Sequence, residues 1–191
     1  TGGYMYFHCA PNQIDFDFEC RRLLKDIHYF DVLRSDRSIS SHGLEARTPF
    51  LDVTFVQNYL SIPSDLRFRS HKSGCEKYLL RTAFDNYNIL PKKVLWRTKE
   101  AFSDGVSSNK KAWYQVIQDH LESIQYKPKY SDETYASMHN PPTTLEQKYY
   151  RDIFEEKFSN HSEVIPYFWM PKFVEATDAS ARTLKVYKDK Q

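Results

Sequence analysis

Apolar residues recur every three or four positions along most of this chain, and that spacing constrains the fold more than any other feature. Such a period returns side chains to one face of an α-helix, whereas a half-buried strand shows strict alternation. Alternation over more than four residues is hard to find here. The period is clear in the first long helix, with Phe16, Cys20, Leu23, Leu24, Ile27 and Phe30. The sequence therefore predicts a mainly α fold.

Capping residues and prolines predict where the helices begin and end. Asn12 and Asp52 each precede an amphipathic stretch and can accept hydrogen bonds from its first amides. Gly43 can end a helix in the left-handed conformation, and Pro49 makes residues 45–52 an ordered connector. Residues 70–74 are expected to form a polar turn. Further helices are predicted over 79–87, over 92–96 with Pro91 as the first helical residue, over 107–125, over 132–137, and from a capping box at 143–146 to about 158.

Glycine is scarce, with 5 residues in 191, against the roughly 7% of average proteins. No GxGxxG or GxxxxGK(S/T) loop can be placed anywhere in the sequence. If the protein binds a nucleotide, the loop that holds the nucleotide's phosphates must therefore lie outside these residues.

Charge, cysteine and histidine usage exclude several function classes. The net charge is +2, so bulk attraction to nucleic acid or membrane is not expected, and no apolar run is long enough to span a bilayer. The 3 cysteines show no CxxC spacing, which favours a reducing cytoplasm over a disulfide framework. The 7 histidines show no HxH, HxxxH or HExxH spacing, so no metal site is predicted from this chain.

Asp31 and Arg34 lie one helical turn apart and therefore share a helix face. A buried pair of this kind could bind an amino acid, because the carboxylate matches an ammonium and the guanidinium matches a carboxylate. The alternative is a surface ion pair of little energetic consequence, and spacing alone favours that alternative.

Two cationic clusters compete with this pair. Lys92, Lys93, Arg97 and Lys99 lead into Glu100 and Asp104, in a stretch without clear periodicity. A lysine there could neutralise the charge on a polyphosphate leaving group, although such runs are usually just solvated. Arg67, Arg69, His71 and Lys72 surround Phe68 and could contact nucleic acid, but four cations and a nearly neutral chain argue against it.

Several blocks of the sequence together carry a specific family signal. They are 30–37, 42–52, 76–81, Leu90-Pro91, the run Trp96-Arg97-Thr98-Lys99-Glu100-Ala101-Phe102-Ser103-Asp104-Gly105, Tyr149-Tyr150-Arg151, Trp169-Met170-Pro171-Lys172 and 177–184. In this order the blocks resemble the synthetase domain of glutamine-hydrolysing asparagine synthetases of the eukaryotic type. The resemblance runs from Gly3 to the last residue.

The resemblance implies the helical carboxyl-terminal portion of an α/β adenine-nucleotide α-hydrolase-like domain, lacking most of its parallel sheet. Residues 1–175 would form this partial domain, with a polar tail at 176–191. The amino-terminal glutaminase domain and the nucleotide-loop segments would be missing partners. A homodimer is compatible with the resemblance, whereas nucleic acid and membrane are not expected partners.

The resemblance also implies a function. Enzymes of this family are cytoplasmic ligases and glutamine amidotransferases that use ATP and Mg²⁺ to amidate aspartate with ammonia or glutamine nitrogen, through a β-aspartyl-adenylate. Lys99 matches the lysine that stabilises charge on the α-phosphate and pyrophosphate. Asp31 and Arg34 match positions around the aspartate and adenylate pocket, and the active-site loop continues through Glu100, Ser103, Asp104 and Gly105. The alternative is a truncated helical interaction module without catalytic activity.

Overall fold

The computed structural model describes residues 10–71, 77–97, 113–170 and 172–173. Within these ranges the chain is helical and contains no strand, which confirms the predicted mainly α character. The chain divides into two compact units, residues 1–99 with 171–175 and residues 100–170 with 176–191. The predicted boundary at residue 175 lies outside the described residues.

The first described helix of the first unit is long, and its N-cap was predicted. The Asn12 side-chain oxygen accepts hydrogen bonds from the amides of Ile14 and Asp15, both at 3.0 Å. Short 3-10 helices lie at Ile27–Tyr29 and Pro49–Leu51. The described α-helices of this unit are α1 (Gln13–Asp26), α2 (Asp31–Ser40), α3 (Val53–Ser61), α4 (Ser64–His71), α5 (Tyr78–Asp85) and α6 (Lys92–Leu95).

Most of the predicted boundaries in this unit are confirmed. Asp52 caps α3, since its carboxylate accepts the Phe55 amide at 2.9 Å. Gly43 follows α2 with a φ of +70°, and nothing lies within 4 Å of an added Cβ, so the backbone conformation rather than space favours glycine. Other details were wrong. Pro91 is the N-cap of α6 and not its first helical residue, because its ψ of 140° is extended. Helix α4 was not predicted, and residues 70 and 71 belong to it and not to the polar turn expected at 70–74.

The core of the first unit is built on α1, where Phe16 and Cys20 are fully buried. Tyr59 of α3 and Ala10 complete this buried cluster. Burial raises the pKa of the Cys20 thiol to about 12, so this cysteine is a packing residue and not a nucleophile at neutral pH.

Arg67 of α4 joins this core as a charged side chain, 2% exposed. Its Nε donates to the carbonyl of Ile62 at 2.9 Å, and one terminal nitrogen pairs with the Asp17 carboxylate of α1. Its guanidinium also lies 5.9 Å and 5.3 Å from the ring centroids of Phe16 and Tyr59. The idea that Arg67 contacts nucleic acid is therefore wrong, because its charge is enclosed within the unit.

The second unit is organised around a buried carboxylate. Its described elements are α7 (Trp113–Ser123), α8 (Asp132–Ser137), α9 (Leu145–Lys157) and a 3-10 helix at Ser162–Val164. Asp152 of α9 is 2% exposed. It accepts the Lys129 amide at 2.9 Å, the Tyr135 hydroxyl at 2.5 Å and the Tyr126 hydroxyl. These hydrogen bonds join α9 to α8 and to the segment before it.

The capping box that begins α9 lies one residue later than predicted. Thr144 is the N-cap and accepts the Gln147 amide, while the Gln147 side chain accepts the Thr144 amide. The sequence pattern instead suggested Thr143 with Glu146. The predicted helix over 132–137 is confirmed without change as α8.

Candidate active site

Asp31 and Arg34 lie together on α2, as their spacing predicts. A terminal nitrogen of Arg34 lies 2.6 Å from Asp31 Oδ1, and the side chains are 80% exposed for Arg34 and 54% exposed for Asp31. Asp31 is also in the first turn of α2, where a carboxylate is favoured by the helix dipole. Among the described residues the pair is thus a surface ion pair of the first unit, with both charged groups accessible.

The cationic segment begins in α6, and its first part is held by a carboxylate. Asp85, the last residue of α5, accepts Lys92 Nζ at 2.5 Å and the indole Nε1 of Trp96 at 3.1 Å. Lys93 and Arg97 are exposed. The predicted site residues Lys99, Glu100, Ser103, Asp104 and Gly105 lie outside the described residues.

The turn that carries Trp96 has further partners. Arg81 of α5 donates to the carbonyl of Leu95, and the rings of Tyr78 and Trp96 pack with centroids 5.6 Å apart. At the start of α5, the Lys77 ammonium lies 5.2 Å from the Phe50 ring centroid.

The hydrogen bonds from Lys92 and Trp96 hold the pKa of Asp85 below its ordinary value, so this carboxylate is charged at neutral pH.

No sequence pattern assigned a functional role to Arg81 or Asp85. Arg81 closes one of the blocks that carry the family resemblance, but nothing in the local pattern indicates its acceptor 14 residues away. Asp85 and Lys92 are separated by 7 residues across a turn that contains Pro91. That spacing is not one at which a single helix brings side chains together, so no periodic signal could have revealed the contact.

Two concave regions of the described chain lie away from the predicted pair. The second unit has an open cavity of about 350 Å³ whose lining includes His139, Glu155 and Asn160. The first unit has a groove of about 570 Å³ along α1 and α3. Asp31 and Arg34 line neither of them.

Known proteins provide the decisive comparison. The sequence profile of the Asparagine synthase family matches residues 10–181. The chain belongs to the Asparagine synthase family. The match includes both predicted parts of the site, the Asp31 and Arg34 pair and the segment around Lys99.

Similar family members are animal enzymes. The chain is 50% identical over 188 residues to the glutamine-hydrolysing asparagine synthetase of Gallus gallus, 47% identical to that of Rattus norvegicus and 44% identical to that of Homo sapiens. Each alignment covers 98% of this chain and 33% of the relative. The chain therefore spans about a third of the length of the curated relatives that it matches.

Two other kinds of feature are absent from the described ranges. No three or more His, Cys, Asp or Glu side chains are grouped closely enough there to hold a metal ion. In the same part of the chain, none of the helices has the length and apolar character needed to cross a bilayer.

Proposed function

We propose that this chain forms part of an asparagine synthetase, an ATP-dependent carbon–nitrogen ligase that converts aspartate into asparagine. The observation that carries the proposal is the match to glutamine-hydrolysing asparagine synthetases, at 50% identity to the chicken protein over 98% of the chain. The charges in the described part of the matching region suit the substrates, since an accessible carboxylate and an accessible guanidinium lie together in the first unit. We place the reaction in the cytoplasm.

The proposed reaction has two steps. A β-carboxylate oxygen of aspartate attacks the α-phosphorus of ATP, so that a carbon–oxygen–phosphorus linkage forms, the bond from the α-phosphorus to the bridging oxygen breaks, and pyrophosphate leaves. Ammonia, supplied free or from glutamine, then attacks the activated carbonyl carbon. The carbon–nitrogen bond forms, AMP leaves with the oxygen, and the surplus proton passes to solvent.

Lys99 has the central role in this proposal. Negative charge grows on the departing pyrophosphate as the first step proceeds, and a lysine ammonium stabilises that charge more in the transition state than in the ground state. Glu100, Ser103, Asp104 and Gly105 continue the same loop and are proposed to shape its adenylate side.

Asp31 and Arg34 are proposed to bind the amino acid. The ammonium of aspartate can replace the Arg34 guanidinium as a partner of the Asp31 carboxylate, and Arg34 can pair with the α-carboxylate. Both side chains are exposed, so the pair is the surface alternative and not the buried one; its partners can still exchange at small cost, because an exposed ion pair of this kind contributes little to stability.

ATP is proposed as a substrate and Mg²⁺ as its companion. Mg²⁺ usually binds through one or two carboxylates together with substrate phosphates. The described residues do not build a carboxylate cluster for it, and no step above depends on a metal held by them. Because the sequence lacks a glycine-rich phosphate loop, the nucleotide cradle is proposed to belong to other parts of the enzyme.

A chimera tests the proposal in the context that it requires. The 188 matching residues of the chicken protein are replaced by those of this chain, and the purified chimera is assayed for asparagine formation and pyrophosphate release from aspartate, ATP and ammonia. We expect both products. A folded chimera that forms neither would contradict the proposed function and support a non-catalytic interaction module instead.

The Lys99→Ala variant of the chimera tests the mechanism. We expect its kcat for pyrophosphate release to fall about 100- to 1,000-fold, as when one preorganised charge-stabilising group is removed. Lys129→Ala is the matched control, because Lys129 is an exposed lysine paired with Glu156 in the other unit. The control should keep its activity, and an unchanged rate for Lys99→Ala would remove this residue from the mechanism.

A further inference from the structure

We propose that the open cavity of the second unit binds a small organic ammonium ion, a primary amine with an apolar body and no carboxylate. Glu155 of α9 binds the ammonium in this proposal. The residues that line the cavity all belong to the second unit, whereas Asp31 and Arg34 belong to the first. The inference therefore does not depend on the proposed reaction.

The cavity lies where three parts of the second unit meet: the end of α9 with the turn after it, the segments on either side of α8, and the last 3-10 helix. Its volume of about 350 Å³ is within the range of about 300–1,000 Å³ that small-molecule sites occupy. The lining is formed by Tyr130, Met138, His139, Glu155, Ser159, Asn160 and Ser162. Among these described residues there is one carboxylate and no lysine or arginine.

The Glu155 carboxylate has no close donor within the described part of the chain. Its Oε1 lies 3.6 Å from Arg151 Nη1, and its Oε2 lies 3.4 Å from the amide nitrogen of Asn160. Both distances exceed the usual range of about 2.7–3.2 Å for a hydrogen bond. The side chain is nevertheless only 13% exposed, and a carboxylate at such a site favours additional donors. A donor that enters the cavity can supply them.

Arg151 is held too firmly by the backbone to satisfy Glu155. Its Nη2 donates to the carbonyls of His139 at 2.7 Å and Asn140 at 3.1 Å, whereas its Nη1 is buried without a hydrogen-bond partner among the described residues. The guanidinium therefore compensates the charge of Glu155 from one side without filling its lone pairs. The carboxylate keeps the capacity to bind a second cation from the cavity.

The neighbouring polar groups are suited to an ammonium. His139 Nε2 donates to the Ile165 carbonyl at 2.8 Å, which leaves Nδ1 as the acceptor of the neutral ring. The hydroxyls of Ser159 and Ser162 can also accept hydrogen bonds. An ammonium has three donors, so it can bind a carboxylate and neutral acceptors together. An amino acid fits less well, because its own carboxylate would find no lysine or arginine in the described lining and would be repelled by Glu155.

The apolar part of the lining favours an organic ligand over the bare ammonium ion. Met138 provides a polarisable thioether, which contacts aromatic rings favourably. The Tyr130 ring packs edge-on against Tyr135 with centroids 5.6 Å apart, and this contact helps to fix its orientation. A thioether and a fixed aromatic ring together suit a ligand whose body is an aromatic ring.

Calorimetric titration of the purified chimera with 2-phenylethylamine tests the inference. At neutral pH this probe carries an ammonium, and we expect a Kd of about 0.1–1 mM. The neutral analogue 2-phenylethanol and the amino acid phenylalanine should each bind at least about 10-fold more weakly, because the first lacks the charge and the second adds a carboxylate. Equal affinities for the amine and the alcohol, or no binding of the amine, would overturn the inference. The titration contains neither ATP nor aspartate, so its result is independent of whether the chimera forms asparagine.

Three variants locate the binding. Glu155→Gln should weaken binding of 2-phenylethylamine about 10- to 100-fold, as expected when a hydrogen bond to a charged group is lost. Glu156→Gln is the matched control, because Glu156 is an adjacent exposed carboxylate that pairs with Lys129 and does not line the cavity; it should change Kd by less than about twofold. Ser159→Phe places a large ring at an exposed position of the lining and should also weaken binding at least about 10-fold.

Thermal unfolding of each variant shows whether it is folded. A folded Glu155→Gln variant that binds as tightly as the parent, or the same loss of affinity in Glu155→Gln and Glu156→Gln, would show that the amine binds elsewhere or only through general charge attraction. Either result overturns the assignment of this cavity.

Discussion

Each unit contains a fully buried charged residue whose partners lie far along the chain. Arg67 pairs with Asp17 across 50 residues, and Asp152 accepts the hydroxyls of Tyr126 and Tyr135 from 26 and 17 residues away. A buried charge is tolerated only when it is paired and hydrogen-bonded. Burial opposes the ionisation of Asp17, but hydrogen bonds from Arg21 and Arg67 outweigh it and lower its pKa. Such distant partners leave no periodic signal in a sequence.

The phenols around Asp152 predict a loss of stability at alkaline pH. Burial, together with the hydrogen bond to Asp152, raises the pKa of Tyr135 to about 12, and the pKa of Tyr126 is raised by the same causes. An unfolded tyrosine has a pKa of about 10. Above that pH the unfolded chain loses protons that the folded chain keeps, so the free energy of unfolding should decrease between about pH 10 and pH 12. Below pH 10 this contribution is fully present.

Urea unfolding at a series of pH values measures this slope. The Tyr135→Phe variant should be less stable at pH 8, because Asp152 loses a donor, and its free energy of unfolding should fall less steeply above pH 10. One such group accounts for up to about 1.4 kcal/mol per pH unit. Tyr87→Phe, which changes a phenol that is 74% exposed, is the control. Equal slopes for the parent and Tyr135→Phe would contradict the prediction.

At the scale of the helices, local chemistry predicted most of the boundaries that the structure describes. The caps at Asn12 and Asp52 act on amides two or three residues away, so the sequence contains all the information needed to identify them. Helix α8 also begins at a local cap, because the Ser131 side chain accepts a hydrogen bond from the Thr134 amide. Predictions of this kind succeed where both partners of an interaction lie within one turn.

Helix α4 was missed because its pattern lacks an apolar stripe. Among its described side chains Arg67 is the most deeply buried, while Leu66 is 48% exposed. Pattern analysis assigns a cation to the solvent face, so a helix that packs through an arginine does not resemble an amphipathic one. The ion pair between Arg67 and Asp17 of α1 holds α4 in place. No pattern within residues 64–71 indicates this partner.

The one-residue shift of the α9 capping box gives a sharp test at this scale. Thr144→Ala should lower the free energy of unfolding by about 1 kcal/mol, because the Gln147 amide loses its acceptor. Gln147→Ala should also be destabilising, since its side chain accepts the backbone amides of Thr143 and Thr144. Glu146→Ala distinguishes the observed box, Thr144 with Gln147, from the predicted box, Thr143 with Glu146. A larger loss for Glu146→Ala than for Gln147→Ala, measured by urea unfolding, would favour the box suggested by the sequence pattern.

Over the whole molecule, the predicted site divides into a part that the structure describes and a part that it does not. The Asp31 and Arg34 contact was predictable because helical spacing alone determines it. The contacts of Arg81 and Asp85 with Leu95, Lys92 and Trp96 were not predictable, since they depend on how α5 and α6 pack. The role of Lys99 came from resemblance to a family and stays a prediction.

The scarcity of glycine leads to a prediction for the 191-residue polypeptide on its own. Tight binding of a nucleotide's phosphates usually requires a loop of converging backbone amides, which glycine allows to approach the ligand closely. Without such a loop, the polypeptide should bind ATP more weakly than about 1 mM in calorimetric titration, equivalent to about 4 kcal/mol of binding free energy. The chimera, which adds the remainder of the chicken protein, should bind more tightly and release pyrophosphate. If the polypeptide alone released pyrophosphate at a rate near that of the chimera, its own residues would have to cradle the phosphates, and the assignment of that task to other parts of the enzyme would be wrong.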